Sequence, residues 1–507
     1  MSSPSFKRAG AAAVGAAILA AGLTAVAPAP AAHAATDPGP AADAAGWLAD
    51  EFATLTSDEA GEAIDYGLAV AATDGPAEVL TSLTNGLNGV LADFLPPADP
   101  APSQWTAINV AMAADYYATV DAIPPAETDL FNRFAGMVDD TTGQFGPSAW
   151  PYSQAYAVNA LRNRNSAELE EARDFLLEAQ CENGAWGFDT SCAAGTLDID
   201  GTALAVLALL PDAELAAVGP AVESAIAWMK TQQRADGGFG NWGVNTGGTT
   251  SSGPSSGLAG WALGAAGETA IAGEAAVWIR NHQAAAVTGC ATLLDAESGA
   301  VAFDGDGYDE GTTEGIGDAV RGSWLNSTAQ AYGALTFLPE HTDHLGLGVP
   351  LYLDGGSTHR FVVSGLREGE RACFKIGKKR TWVRGNAHGK ATVNAQVPDR
   401  TGFIGVTAAT ADDGAGGETA VLAAKRVPFD LKDRVRRGGK QVVEVRGLHS
   451  GERVVVRYDG AKVAGGKAAT DGTFRASFPV GRKAGAHKVK VVGQFADRTA
   501  TQSFLVG

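Results

Sequence analysis

The sequence predicts a multidomain chain in which an all-α barrel of six helix pairs, an (α/α)6 toroid, precedes two small all-β sandwiches. Three observations support this prediction. A helical unit with a Gly-aromatic turn recurs between residues 44 and 340, Val-rich alternating segments follow it, and the charge changes sign between the two parts. From His344 onward there are 28 Lys and Arg against 14 Asp and Glu, a net charge of +14, whereas the preceding residues carry 10 against 43, a net charge of −33. Such an asymmetry is typical of separate domains, so we place the boundary near residues 340–348.

The first residues have the pattern of an export signal. Lys7 and Arg8 precede an almost uncharged stretch over residues 9–26, and small residues follow up to Ala34. A basic segment, an apolar segment and an Ala-x-Ala site in this order are typical of a secretory signal peptide, here residues 1–34. No later stretch is long and apolar enough to span a bilayer. We therefore expect a secreted, extracellular or envelope-associated protein without a transmembrane segment in its mature chain.

The helical part repeats a unit of two helices. In each unit an apolar helix ends in Gln, a turn with Gly and an aromatic residue follows, and the next helix is rich in small residues. The two most complete copies contain Gln180, Gly184 and Trp186 in one and Gln233, Gly237 and Phe239 in the other. A further copy keeps Gln283 with a degenerate turn, and an earlier copy keeps Gly143 and Phe145 without a Gln. Because one helix pair cannot bury its apolar face alone, the six pairs in residues 41–341 are expected to stack.

This spacing resembles the glutamine–tryptophan repeat of squalene–hopene cyclases and of protein prenyltransferase β-subunits. The resemblance covers about 300 residues and implies a terpenoid cyclase-like toroid with the small-residue helices on the inside. In that family the Gln side chain caps the end of its own helix and the aromatic ring stacks against it. The resemblance therefore implies this structural role for Gln180, Trp186, Gln233 and Phe239.

The basic part contains two copies of a β unit. Val-rich strands and Gly turns predict small sandwiches, and one phrase recurs after 82 residues: Gly365-Leu366-x-x-Gly369-Glu370-Arg371 returns as Gly447-Leu448-x-x-Gly451-Glu452-Arg453. We place one unit at residues 347–427 and the next at 428–507. The second unit resembles the immunoglobulin-like modules that end many secreted bacterial surface proteins. We therefore expect two immunoglobulin-like sandwiches that space, stiffen or bind.

The cysteines suggest an oxidising compartment. Cys181 and Cys192 lie eleven residues apart across the most complete turn, and in an exported protein we expect them to form a disulfide. Two buried thiols are the alternative. Cys373 alternates with two basic residues, which predicts that it faces outward on its strand. A bond from Cys373 to Cys290 would tether the β part to the toroid, and the sequence leaves the state of these two cysteines open.

The sharpest chemical motif is Asp-Ile-Asp-Gly-Thr-Ala at residues 198–203. It resembles the Asp-x-Asp-Asp-Thr-Ala motif of class II terpene cyclases, which implies that Asp200 is a catalytic proton donor and Asp198 its acidic neighbour. Such an enzyme needs a carboxylic acid that can protonate an alkene. Gly201 replaces the third acid, and the chain supplies one barrel where these cyclases normally use two. The alternative is that Asp198 and Asp200 cap an inner helix.

Other candidate sites fit their patterns less well. Zinc in prenyltransferases is bound by Asp, Cys and His, but neither His282 nor Cys290 matches that pattern, so we expect no metal and no cofactor. Residues 253–257 match the Gly-x-Ser-x-Gly string of a hydrolase elbow without its preceding strand, and Ser256 is expected to be a helix N-cap. The acidic segment 304–310 begins like a calcium loop, but a solvated loop is the favoured alternative.

We therefore predict a secreted or cell-envelope binding protein that uses a catalytically degenerate toroid as its platform. An unidentified ligand would bind in or at the toroid, the basic half would contact anionic cell-wall polymers by charge, and no nucleic-acid partner is expected. The alternative is an enzyme in the barrel mouth, acting by terpene cyclase-like acid catalysis or on carbohydrate. The inner helices carry few aromatic residues for a cyclase cavity: Tyr156, Trp261 and Tyr332. An enzyme requires Asp200 to point into a deep pocket, whereas a cap binds backbone N–H groups.

Overall fold

The computed structural model describes residues 35–95, 102–148, 150–188, 191–193, 195–240 and 250–507. The predicted signal peptide at residues 1–34 lies outside these ranges. Within them, residues from Thr36 to Gly507 form one compact unit. None of the helices in these ranges combines the length and the apolar character that a membrane crossing requires.

Helices form most of the described chain up to residue 335. Proline stands in the first turn of α1, α6 and α10, where it has no helical hydrogen bond to lose. In chain order the helices are α1 (Gly39–Glu51), α2 (Ala60–Ala72), α3 (Ala77–Phe94), α4 (Gln104–Thr119), α5 (Leu130–Ala135), α6 (Pro151–Asn163), α7 (Leu169–Glu178), α8 (Ile199–Leu209), α9 (Val218–Gln232), α10 (Gly253–Ala265), α11 (Thr269–Asn281), α12 (Gly305–Glu314) and α13 (Asp318–Leu335).

Six of these helices form a closed series, which we call the helical ring. α2, α4, α6, α8, α10 and α13 each contact the next in this order, and α13 contacts α2. α1, α3, α5, α7, α9 and α11 pack against the ring helices as an outer layer. Ten of the eleven residues of α8 are buried, whereas only Ala172 and Leu176 are buried in α7. Close packing on all sides favours small residues, which explains the Ala-, Gly- and Ser-rich helices of the sequence.

The Gln residues join each turn to the next outer helix. Gln180 Nε2 donates to the carbonyl oxygens of Gly184 and of Ala221 in α9, both at 2.8 Å. The same pair of bonds recurs for Gln233 with Gly237 and Ile271, for Gln283 with Gly299 and Pro40, and for Gln154 with Gly143 and Ala172. These bonds differ from the expected capping of the Gln's own helix, because the amide bridges two successive helix pairs. Pro40 lies in α1, so Gln283 also connects the last unit to the first.

A ring helix holds the other side of each turn. The backbone N–H of Trp186 donates to Thr202 Oγ1 at 3.0 Å, and that of Phe239 donates to Ser256 Oγ at 2.9 Å. The indole N–H of Trp186 donates to the carbonyl of Leu176 in α7 at 2.8 Å. Ser256 therefore lies inside α10 and secures a turn, so its predicted role as an N-cap is wrong.

A short pair of strands lies between α7 and α8, and the other strands follow residue 345. In chain order the strands are β1 (Trp186–Gly187), β2 (Leu197–Asp198), β3 (Gly346–Leu347), β4 (Tyr352–Asp354), β5 (Thr358–Ser364), β6 (Arg371–Ile376), β7 (Lys379–Arg384), β8 (Lys390–Gln396), β9 (Gly402–Ala409), β10 (Gly414–Leu422), β11 (Phe429–Leu431), β12 (Arg434–Val435), β13 (Lys440–Val445), β14 (Arg453–Tyr458), β15 (Ala461–Lys467), β16 (Phe474–Pro479), β17 (Gly485–Val492) and β18 (Thr499–Val506).

The strands form two β units, each with two sheets and one hydrophobic cluster. In the first β unit (residues 346–422) the strand orders are β4-β10-β9-β6-β7 and β3-β5-β8. In the second β unit (residues 429–506) they are β12-β18-β17-β14-β15 and β11-β13-β16. Glu370 and Glu452 each accept the backbone N–H of the residue three positions earlier, at 2.7 and 2.9 Å. The repeated sequence phrase is therefore one loop that both units share.

A disulfide and ion pairs attach the first β unit to the helical part. Cys290 is bonded to Cys373 on β6, and Arg371 on the same strand pairs with Asp309 at 2.9 Å. Cys373 was expected to face outward, but it is only 1% exposed. The chain around Gly289 covers it, since a Cβ atom at this glycine would lie 3.9 Å from Cys373 Sγ.

The acidic segment 304–310 is part of this contact and is not the solvated loop that the sequence favoured. α12 begins there, and Asp304 Oδ1 accepts the N–H of Gly307 at 2.8 Å as an N-cap. The guanidinium of Arg371 lies 4.9 Å from the ring centroid of Tyr308. A favourable cap outweighs the low helix propensity of the two glycines in the first turn.

Candidate functional site

The helical ring encloses a cavity of about 410 Å³. Its lining comes from all six ring helices, mostly from their middle and C-terminal turns. The walls are largely apolar and include the large side chains of Leu68, Leu204, Leu207, Leu258 and Trp261. A cavity of this size and composition has the properties of a small-molecule site, in which a few polar groups fix the orientation of the ligand.

Asp65 places a carboxyl group in this apolar wall. It lies on α2, where Tyr156 OH donates to its Oδ1 at 2.7 Å and Gln330 Nε2 donates to its Oδ2 at 2.9 Å. Burial raises the pKa of Asp65 above its usual value, and the bonds from Gln330 and Tyr156 oppose that rise. The two donors belong to α6 and α13, so three ring helices fix the position of the carboxyl group.

Asp115 on α4 is a second carboxyl group in the cavity lining, and it is 2% exposed. Thr119 Oγ1 donates to its Oδ1 at 3.1 Å, and Asn159 Nδ2 donates to its Oδ2 at 3.4 Å. Burial raises the pKa of Asp115 to about 7 against the opposing effects of these bonds and of Arg162, and the charge of Asp65 adds to the rise. The cavity therefore changes its charge close to neutral pH.

The cation of the cavity lining, Arg162, is already paired. Its Nη2 lies 2.9 Å from Asp212 Oδ2 and donates to the carbonyl of Ala208 at 2.7 Å. Its Nη1 donates to Asn159 Oδ1 at 2.8 Å. The guanidinium thus organises the end of the cavity near α8 and α6, and the two carboxyl groups have no direct ion pair with it.

The predicted pair, Asp198 and Asp200, lies at the other end of α8 and does not line this cavity. Asp198 is the N-cap residue, and its carboxylate accepts the N–H of Asp200 at 3.2 Å and the hydroxyl of Tyr152. Asp200 is 5% exposed, and its Oδ1 has no hydrogen-bond partner among the described residues. Burial, and secondly the charge of Asp198, raise the pKa of Asp200 well above that of an ordinary carboxyl group. Leu204, the residue of α8 on the cavity wall that is nearest in sequence to Asp200, lies one turn or about 6 Å further along the helix axis.

Aromatic rings extend from Asp198 towards the surface. The ring centroids of Tyr152 and Phe188 are 6.1 Å apart, those of Phe188 and Trp150 are 5.0 Å apart, and those of Trp150 and Trp105 are 5.2 Å apart. Trp105 is 68% exposed. Because Tyr152 and Trp105 belong to α6 and α4, the ring helices carry more aromatic side chains than the three named from the sequence.

A disulfide braces the loop that leads to Asp198. Cys181 and Cys192 are bonded, with their Cα atoms 5.4 Å apart. β1 pairs with β2 at the same place, and Trp186 lies opposite Asp198 in this pair. The turn, the disulfide and the start of α8 are therefore one local structure, and it fixes the position of the Asp198 carboxylate.

The candidate metal ligands are used in packing. The ring of His282 stacks on the ring of Trp278, with centroids 4.1 Å apart, and His282 Nδ1 lies 2.8 Å from the backbone carbonyl oxygen of Trp278. Burial lowers the pKa of His282. Cys290 is bonded to Cys373. Within the described ranges no three His, Cys, Asp or Glu side chains are grouped so that they could hold a metal ion.

Asp65 and Asp115 were not selected from the sequence. Each stands in a helix of small and apolar residues, Asp65 between Ile64 and Tyr66 and Asp115 between Ala114 and Tyr116. A carboxyl group inside a helix of small and apolar residues, which is expected to lie on the inside of the toroid, is itself a signal, because burial of an unpaired charge is costly. That signal identifies both residues without any motif.

Comparisons with known proteins find similar solved structures at low sequence identity. No protein-family model matches the chain, and no curated protein matches it. Solved structures similar to this chain include the type II terpene cyclase MstE from Scytonema, which is 15% identical over 59% of this chain and 96% of that one, with a TM-score of 0.38. A protein from Actinoplanes is 17% identical over 59% of this chain and 99% of that one, with a TM-score of 0.37. The adhesin InvE from Yersinia pseudotuberculosis is 12% identical over 32% of this chain, with a TM-score of 0.17. This chain spans 58% of the length of that adhesin. Identities and scores this low carry neither an activity nor a partner over to this chain.

Proposed function

We propose that this chain is a binding protein whose ring cavity holds a small, mainly apolar molecule that donates a hydrogen bond to Asp65. The observation that carries this proposal is the cavity of about 410 Å³, in which a fixed carboxyl group interrupts apolar walls. A volume between roughly 300 and 1,000 Å³ is typical of small-molecule sites. The ligand should carry a hydroxyl or amino group, because Asp65 and Asp115 are acceptors when ionised and Arg162 is already paired.

We further propose that the helical part is an (α/α)6 toroid of the terpenoid cyclase type, over residues 41–341, and that two immunoglobulin-like sandwiches follow at 347–427 and 428–507. The closed series of ring helices supports the first assignment. The second is supported by the strand orders, which are equivalent in the two β units, with three strands in one sheet and five in the other.

We propose that the protein is exported and acts at the cell surface or in the envelope. Both disulfides support this location, because such bonds persist in oxidising compartments. The residues expected to direct export, 1–34, have the composition of a signal peptide.

The proposal is tested by extracting the purified full-length protein with organic solvent and identifying the released molecules by mass spectrometry. We expect one apolar species, in near-stoichiometric amount, and a loss of at least tenfold in the Asp65→Asn variant at an unchanged melting temperature. Asp200→Asn is the matched control, since it changes a buried carboxyl group outside the cavity. Wild-type protein without an extractable molecule, or equal retention by both variants, would contradict the proposal.

The second candidate function is an enzyme that uses Asp200 as an acid, with Asp198 as its neighbour. Its specific support is that burial, and secondly the charge of Asp198, raise the pKa of Asp200 well above that of an ordinary carboxyl group, together with the aromatic row that begins at Tyr152. The same extraction separates the two candidates. An enzyme predicts that Asp200→Asn retains a molecule chemically different from the one bound by the wild type, whereas a binding protein predicts the same molecule in both.

A further inference from the structure

The five-stranded sheet of the second β unit carries charge of one sign. Its strands, β12, β14, β15, β17 and β18, contain no Asp or Glu and seven basic residues: Arg434, Arg453, Arg457, Lys462, Lys467, Lys488 and Lys490. All seven are exposed, and they alternate with buried residues such as Val454, Val456, Val489 and Val491. Successive side chains point to opposite faces of a strand, and a register shift between Val456 and Arg457 places both Lys462 and Lys467 of β15 opposite outward-facing arginines of β14, so the seven cations share the outer face of this sheet.

These cations are placed directly opposite one another. Arg457 on β14 is in register with Lys490 on β17 and with Lys462 on β15, and Arg453 is in register with Lys467. Directly opposed like charges destabilise a sheet. None of the seven takes part in an ion pair with the described residues. Arg457 Nη1 donates to the carbonyl oxygen of Gly460 at 3.0 Å, but no carboxylate of the described residues neutralises the opposed cations.

Much of the remaining basic surface of the β units is neutralised by acids, although Lys375 on β6 also lies opposite Arg380 on β7 without an ion pair among the described residues. In the first β unit, Arg367 and Arg371 pair with Asp37 and Asp309 of the helical part. In the three-stranded sheet of the second unit, Glu444 lies opposite Arg475, and Arg446 pairs with Glu444 and Asp430. Cationic residues on edge strands are a common defence against aggregation, but Arg457 and Lys490 lie on β14 and β17, two of the three inner strands, where that defence is not needed.

We propose that this outer face, the cationic sheet, binds an extended phosphodiester polymer without bases. A phosphodiester group has one negative charge and two free oxygen atoms, which Lys, Arg and hydroxyl groups bind. Hydroxyl residues stand beside the cations on the same face, since Thr501 is in register with Lys490 and Ser503 with Lys488. The aromatic residues of these strands, Tyr458 and Phe504, pack in the hydrophobic cluster, so the face lacks the stacking rings that single-stranded nucleic acids require. This proposal is independent of the ring cavity.

The test measures binding of the full-length protein to fluorescently labelled long-chain inorganic polyphosphate between 50 and 200 mM salt. With five to seven phosphate contacts, we expect the affinity to fall about 10²–10³-fold over this range. The double variant Arg457→Gln with Lys490→Gln should bind at 50 mM salt about tenfold or more weakly than the wild type. Its plot of log affinity against log salt should also be less steep, with the magnitude of the slope smaller by about 1.4. Lys440→Gln with Arg475→Gln removes the same charge from the opposite sheet and should leave both values close to wild type.

Two further readouts decide the outcome. The Arg457 and Lys490 variant should melt at the same temperature as the wild type or higher, because it removes an opposed pair of like charges, so a loss of binding is not a loss of folding. Equal losses in the two double variants, retention of polyphosphate in 1 M salt, or equal affinity for a single-stranded oligonucleotide would each overturn the proposal. The proposal would also be overturned if the protein bound polyphosphate only at concentrations at which its copies associate with one another through their acidic helical parts.

Discussion

At the scale of single residues, the buried carboxyl groups of the ring lower the stability of the folded protein. Asp115 is nearly inaccessible to solvent, and burial outweighs the bonds from Thr119 and Asn159 in setting its pKa near 7. Asp65 is a second carboxyl group within the electrostatic range of Asp115. Ionising both places two negative charges in one apolar cavity, which is unfavourable unless a donor on a ligand compensates them.

The raised pKa of Asp115 makes the stability of the ring dependent on pH. The folded protein keeps a proton on Asp115 that the unfolded chain releases near pH 4, so this contribution is lost as the pH rises from about 4 to about 7. Wild type should therefore lose about 2–4 kcal/mol relative to Asp115→Asn between pH 4.5 and pH 8, at about 1.4 kcal/mol for each pKa unit.

The measurement is urea unfolding of both proteins at the two pH values, followed by Trp fluorescence. Trp382 is the only one of the ten tryptophans that follows residue 344, so the signal reports mainly on the helical part. A difference between wild type and Asp115→Asn that is the same at both pH values would show that folding does not raise the pKa of Asp115, because only then do the folded and unfolded chains bind the same number of protons at this group.

At the scale of elements, the turn between an outer helix and a ring helix is the structural feature that recurs through the helical part. Gly184 has a φ of +92°, and a Cβ atom there would lie 2.4 Å from the carbonyl oxygen of Ser224 in α9. This glycine therefore lets the turn approach the next outer helix, and the two bonds from Gln180 hold it there. The left-handed conformation alone costs a residue with a side chain about 1–2 kcal/mol.

Gly184→Ala should therefore destabilise the ring by at least about 2 kcal/mol, because backbone strain and a clash with the Ser224 carbonyl add together. Gly46→Ala is the matched control, since Gly46 lies in the exposed face of α1 and has nothing within 4 Å of its added Cβ atom. The control should be neutral or more stable by up to about 1 kcal/mol. Urea midpoints of the two variants give the comparison, and equal midpoints would contradict the role assigned to the turn.

The spacing of Gln, Gly and aromatic residues was enough to locate these turns, but not to identify their partners. The acceptors of Gln180 and Gln233 lie about 40 residues further along the chain, on a helix whose position depends on the whole ring. In the earlier unit without a Gln at the expected place, Gln154 makes the same bonds from a ring helix. The carboxyl groups of the cavity carry no local motif at all, and only the closed packing of the ring brings Asp65 and Asp115 into one cavity.

At the scale of the whole molecule, opposite charges are divided between the parts and meet at one contact. The part before His344 has a net charge of −33 and the rest a net charge of +14. Arg367 and Arg371 of the first β unit pair with acids of the helical part, and Arg280 of α11 pairs with Asp412 in the reverse direction. The disulfide between Cys290 and Cys373 lies in this contact, so ion pairs and a covalent bond act together there.

Removing that disulfide should cost more than removing the local one. The bond between Cys290 and Cys373 closes 83 residues, whereas the bond between Cys181 and Cys192 closes 11. By the entropy of loop closure the longer loop contributes about 4.5 kcal/mol and the shorter one about 2.8 kcal/mol. We therefore expect the Cys290→Ser and Cys373→Ser double variant to be less stable than the Cys181→Ser and Cys192→Ser double variant by about 1–2 kcal/mol.

Salt provides the second arm of this experiment. Without the covalent link the contact depends more on its ion pairs, which salt screens. The variant without Cys290 and Cys373 should therefore lose further stability between about 50 and 500 mM salt. The variant without Cys181 and Cys192 should change less. Unfolding followed by Trp fluorescence, and limited proteolysis of the segment 340–348, measure the ring and the connection separately. If both double variants unfold alike and salt leaves the cleavage rate unchanged, the first β unit is not held to the ring by this contact, and the link between the acidic and basic parts is the chain alone.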